Sequence, residues 1–139
     1  MTVQSQKMLV AGIAVLSFIL TYGQNREAPI KLTIDEAGEL VMAAAPLKMR
    51  ALPGFHLEYF SRSPCPEFYY FDARWKNPGT IGSSLSARYA VNSTNGDVWE
   101  PDTPMRITSP ELEKAQKLAR QRLGLSSSEY RKLKKKYPC

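Results

Sequence analysis

The chain has 139 residues, enough for one domain with little room for a second. It carries 19 Lys and Arg against 13 Asp and Glu, a net charge of +6, and 43% hydrophobic residues, an ordinary globular balance. One His and two Cys leave too few ligands for a dedicated structural zinc site.

Lys7 precedes an apolar run from Met8 to Tyr22. Its length suits a signal-peptide core and falls short of the ~20 residues that span a bilayer comfortably. Thr21-Tyr22-Gly23 offers small residues for cleavage before Gln24. The segment 1–23 is therefore read as a signal peptide and 24–32 as a polar spacer. The protein is expected in a periplasm or outside the cell, the alternative being an inner-membrane anchor formed by residues 8–22.

Thr33-Ile34-Asp35-Glu36 forms a capping box that opens a helix over about Ile34–Ala45, stopped by Pro46. Phe55–Phe60 and Phe68–Trp75 alternate as strands. Arg88–Asn92 faces Asp97–Glu100 across Ser93-Thr94-Asn95-Gly96, in which Asn-Gly is a strong hairpin signal. Ser109-Pro110-Glu111 starts a helix ending at Gly124, and Ser126–Glu129 caps a second, whose apolar face is Tyr130, Leu133 and Tyr137. The expected architecture is α+β: an N-terminal helix on a sheet of three or four antiparallel strands, then two short C-terminal helices. In domain terms, 33–105 forms the α+β unit and 106–139 a basic helical extension packed on it.

In an oxidising compartment Cys65 and Cys139 are expected to bridge, closing a loop of more than 70 residues. Such a loop stabilises by roughly 4 kcal/mol before native strain. A nucleophilic Cys65 would need a base, and His56 is the one histidine. The acidic residues fall in caps, turns and strand faces, and no hydrolase, zinc-protease or nucleotide-loop motif occurs. No catalytic residue, metal ligand or cofactor is assigned. The sequon Asn92-Ser93-Thr94 matters only in a eukaryotic secretory pathway.

Charge is uneven. Residues 106–139 hold 10 basic against 3 acidic residues, whereas 24–105 hold 8 against 10. Lys132, Lys134, Lys135 and Lys136 are thus candidates for contact with an acidic protein partner in the cell envelope or an anionic membrane surface; an exported protein rarely meets nucleic acid. The aromatic cluster from Tyr59 to Trp99 exceeds what one sheet face can bury. Tyr69, Trp75 and Trp99 are its candidate partner anchors.

The capped helix, the strands and the hairpin Tyr89-Ala90-Val91-Asn92-Ser93-Thr94-Asn95-Gly96-Asp97-Val98-Trp99 resemble the small exported PepSY-type domains over residues 33–100. The resemblance implies an extracytoplasmic, regulatory or inhibitory binding module and brings no catalytic residues. Size, signal segment and a single disulfide are also shared with small exported bacterial immunity proteins and lysozyme inhibitors. The resulting expectation is an inhibitor or immunity-type module acting on an envelope-directed enzyme. The alternatives are an anchored envelope structural protein and, third, a small hydrolase.

Overall fold

The computed structural model describes residues 30–133. Helix α1 (Ile34–Ala44) begins where both arms of the capping box close: the Glu36 amide donates to Thr33 Oγ1 (3.2 Å) and the Thr33 amide to Glu36 Oε2 (2.7 Å). Ala37, Leu40, Val41 and Ala44 recur at helical spacing and are all buried, so one stripe of α1 faces the core. Pro46 ends α1 but also caps a single further turn, α2 (Leu47–Arg50), which the sequence pattern does not signal.

Five strands follow rather than the three or four expected: β1 (His56–Phe60), β2 (Phe68–Trp75), β3 (Ser84–Asn92), β4 (Val98–Glu100) and β5 (Met105–Arg106). They form an antiparallel meander in the order β1-β2-β3-β4-β5. Gly82-Ser83-Ser84 reads as a loop, yet Ser84 already pairs with Trp75, and a register shift at Ala73/Arg74 absorbs the extra residue. β5 is a two-residue strand between prolines, and it straddles position 105/106, where sequence places the start of a separate extension. The last helices are α3 (Pro110–Arg122) and α4 (Ser127–Leu133).

Alternation sorts the sheet into two faces. Leu57, Tyr59, Tyr69, Phe71, Ala73, Tyr89, Val91 and Val98 point inward, where they pack with Leu40, Val41, Leu112 and Leu123 from α1, α3 and its C-cap. Leu32, assigned to the spacer by sequence, is 2% exposed and belongs to this core. Its amide donates to the Ser93 carbonyl (2.8 Å) and its carbonyl accepts from Tyr69 Oη (2.8 Å). The outward face carries His56, Glu58, Phe60, Phe68, Tyr70, Asp72, Arg74, Arg88, Ala90 and Trp99.

Among the described residues no helix is long and apolar enough to cross a membrane. The segment read as a signal peptide or anchor lies outside the described residues.

Candidate partner-binding surface

The β3–β4 connection is the four-residue loop Ser93–Gly96 that the sequence places between Asn92 and Asp97, and the Gly96 amide donates to the Asn92 carbonyl (2.9 Å). Asn92 Oδ1 accepts from the Thr94 amide (2.8 Å), Thr94 Oγ1 (2.7 Å) and the Asn95 amide (3.2 Å), which folds the turn on itself. Gly96 has φ +75, and a Cβ there would stand 3.3 Å from Leu40 Cδ1; only glycine suits both the backbone and the space.

This turn is buried beneath α1 and α3, so its polar groups need internal partners. Gln116 Nε2 donates to the Gly96 carbonyl (3.0 Å) and Arg120 Nε to that of Asn95 (3.0 Å). Asp97, 1% exposed, gathers the C-terminal helices. Its Oδ1 accepts from Tyr130 Oη (2.6 Å) and Arg120 Nη2 (3.1 Å), with Arg106 Nη1 at 3.6 Å. Arg106 Nη1 also donates to Tyr130 Oη (2.9 Å), and the Arg120 guanidinium lies 3.5 Å over the Tyr130 ring. Burial, then the bond to Asp97, pushes the Tyr130 phenol above its ordinary value. In the same last turn of α3, Arg122 donates to Glu36 Oε2 (2.6 Å). Three of the C-terminal cations therefore hold the fold together, which net charge alone does not reveal.

The outward face of the sheet carries a second, more open polar array. Glu58, Asp72 and Arg88 lie in one cross-strand row, with His56 and Arg74 in the next. Arg74 Nη2 donates to Asp72 Oδ2 (3.0 Å) and Arg74 pairs ionically with Glu58 at 2.7 Å; Arg88 sits 3.4 Å from Asp72 and 3.7 Å from Asp102. Asp72 is buried and supplies the fixed centre of the ladder, while the Arg88 and Asp102 side chains are 50% and 64% exposed. His56 contacts the Gly54 carbonyl (2.8 Å) and Glu58 (3.3 Å); that carbonyl first, and the carboxylate second, raise the imidazole above its usual value. Beside the ladder, Phe60, Arg62, Pro64, Tyr70, Arg88 and Asp102 line a cleft of about 270 Å³. Aromatic side chains and arginines flanked by exposed charge are the composition of a protein-docking patch. The carboxylates here are engaged in ion pairs, and no group of three or more His, Cys, Asp or Glu among the described residues could hold a metal ion.

The three aromatic candidates do not share a surface. Tyr69 points inward, is half-buried against the core, donates to the Leu32 carbonyl and stacks edge-on against Tyr59 (ring centroids 6.0 Å apart). Trp75 ends β2 on the inward side and is half-buried, whereas Trp99 packs on the outward face near Tyr70. Lys132 is exposed on α4, in a cleft shared with Glu67, Phe68, Thr94 and Leu133. Lys134, Lys135, Lys136 and Cys139 lie outside the described residues. Cys65 is 3% exposed, packs on Phe68 and Ala90, and is not a free thiol.

Sequence reading overlooked the ladder of Glu58, Asp72, Arg74, Arg88 and Asp102. Asp72-Ala73-Arg74 held the available signal, since opposite charges two apart on a strand share a face.

No family model and no curated protein matches the chain. Among solved structures it is similar to a chain in the structure of a type VI secretion system effector-immunity complex from Pseudomonas protegens. Identity is 22%, the TM-score is 0.57, and the match covers 77% of this chain and 89% of that one. The two chains share this helix-and-meander fold.

Proposed function

We propose that the protein is an exported, non-catalytic binding protein of the immunity type, which neutralises an antibacterial effector by docking against it. The carrying observation is the fold likeness over 89% of a chain taken from an effector-immunity complex. The outward ladder supports the reading. Its charges are arrayed for recognition across a surface, and its rim residues Arg88 and Asp102 are loosely paired and reachable. Electrostatic complementarity of this type sets partner choice and association rate. The PepSY-type relationship belongs to the same proposal, because a helix on an antiparallel sheet over residues 33–100 is the plan it implies. Export through residues 1–23, an envelope-directed enzyme as target and a Cys65–Cys139 bridge complete the reading, with Lys132 and the lysines beyond it as a second, basic contact.

Co-expression with each secreted effector of the same genome tests it, scored by survival of the host and by a co-purified complex. Protection against one effector, with a stable stoichiometric complex, is the expected result. Absence of both for every effector refutes the proposal.

A further inference from the structure

The two edges of the meander differ. β5 is two residues long and follows Pro104, so that edge offers little to pair with. β1 is the other edge, and among the described residues no strand pairs with its outer side. It runs in unbroken register with β2 from His56↔Arg74 to Phe60↔Tyr70 and contains no proline, lysine or bulge, the devices that ordinarily blunt an edge. α1 packs across β2, β3 and β4. The β1–β2 loop leans the same way: Cys65 packs on Phe68 and Ala90, while Arg62 and Pro64 line the cleft with Arg88 and Asp102. β1 is accordingly exposed at every residue except the half-buried Leu57, and Tyr59 and Phe60 keep 37% and 43% of their surface in water.

Strand register specifies what an added strand would meet. On the inward face, Leu57-Ala73-Ala87 and Tyr59-Phe71-Tyr89 are apolar rows. On the outward face, Phe60-Tyr70-Ala90-Trp99 is rich in aromatic rings and Glu58-Asp72-Arg88 is charged. The ladder sets the carboxylates of Glu58, Asp72 and Asp102 against the guanidinium groups of Arg74 and Arg88, and Arg62 lies past the end of the strand. The charged row therefore ends at the edge on a half-exposed carboxylate, with a place for one more cation at the cross-strand spacing of about 5 Å. A second copy paired antiparallel along the whole of β1 would instead set Glu58 against Glu58, an unfavourable pair.

We propose that β1 takes up an extended segment of a partner protein as a sixth strand, with apolar residues opposite Leu57, Tyr59 and Phe60 and a lysine or arginine opposite Glu58. Main-chain hydrogen bonds along the edge hold the segment, and its alternate side chains decide which segment is accepted. Phe60 belongs both to the edge and to the cleft beside the ladder, so the added strand and the ladder form one continuous docking surface. The identity of the partner rests on the immunity reading; the capacity of the edge to take a strand does not.

The full chain, immobilised, selects from a phage library of random nine-residue peptides. Enriched peptides should carry one lysine or arginine flanked by apolar residues. Their affinity should fall about fivefold for Glu58→Lys, which should itself select aspartate or glutamate at that position. Glu58→Gln, milder for the ladder, should lose the preference for a basic residue without gaining the acidic one. N-methylation of alternate peptide amides should abolish binding for the set that faces β1 and spare the other set. No enrichment, or binding indifferent to Glu58 and to both methylated sets, overturns the proposal. A concentration-dependent dimer in sedimentation that the selected peptides dissociate overturns it as well, because the edge then belongs to a second copy. In a complex with an effector, amide exchange across residues 56–60 should slow about tenfold. A stable complex with unchanged exchange there removes the strand and leaves the immunity reading standing, whereas peptide selection without any effector complex does the reverse.

Discussion

Asp97→Asn isolates the charge that seats the C-terminal helices while keeping the side chain's shape. The carboxylate is 1% exposed, and a single oxygen, Oδ1, serves Tyr130, Arg120 and Arg106 at 2.6, 3.1 and 3.6 Å. An amide oxygen can still accept hydrogen bonds but carries no charge to balance two guanidinium groups. Hydrogen bonds to charged groups contribute about 1.5–3 kcal/mol each, and breaking a fully buried pair costs about 3–5 kcal/mol. The arginine side chains retain 18% and 31% exposure, so water recovers part of that loss. The expected destabilisation is about 2–4 kcal/mol, or a fall in Tm of roughly 10–20 °C for a domain of this size. Urea unfolding with matched m-values measures it. Tyr130→Phe should cost about 1 kcal/mol alone and less in the Asp97→Asn background, because the two share one bond. An Asn variant within 1 kcal/mol of the parent, with unchanged m, would refute the view that Asp97 organises this end of the molecule.

Three further outcomes are expected. Gly96→Ala should destabilise by about 2 kcal/mol in urea titrations, since it forces a non-glycine residue into positive φ against Leu40. Glu36 is held below the usual glutamate value, first by the Thr33 amide and also by Arg122. A carboxylate with a lowered folded value contributes stability above the unfolded pKa of about 4.3, and the contribution is lost as pH falls through the folded value. Glu36→Gln should therefore flatten the acid limb of the stability profile, read by thermal melts from neutral to acidic pH. Arg88→Gln, at a half-exposed rim position where Arg74 still pairs with the buried Asp72, should leave Tm within a few degrees of the parent while weakening protection in the effector co-expression assay.

Elements with local chemistry were legible in the sequence. The Thr33–Glu36 box, the Ser109-Pro110 start of α3 and the Ser126–Glu129 box each depend on residues within one turn, and each forms its bonds. Gly124 takes φ +67 just past the end of α3, as a C-terminal glycine should. What sequence missed depends on long-range partners. Leu32 looks like the end of a polar spacer until Ser93 and Tyr69 bond its backbone. The Ser93–Gly96 loop was legible, but not that the Asn92 side chain closes it or that α1 and α3 bury it. β5 is too short for any periodicity to show. The basic stretch reads as a uniform patch, although Arg106 and Arg120 turn inward to Asp97 and Arg122 to Glu36. Neither the outward ladder nor the separation of Tyr69 from Trp99 could be read without strand register.

The closed geometry of Asn92 bears on how the protein can be produced. Asn92 begins a sequon, but its amide oxygen already accepts three hydrogen bonds and the residue is 9% exposed. A glycan on that nitrogen has no room once the turn forms. In a yeast or mammalian secretory host, oligosaccharide transfer and folding would therefore compete for the same residue. Molecules modified first would be unable to seat the turn beneath α1 and α3, and secreted native protein should be free of sugar at this site. Replacing Thr94 with Ala would remove the acceptor motif but also one of the bonds to Asn92, whereas a bacterial periplasmic host avoids the choice.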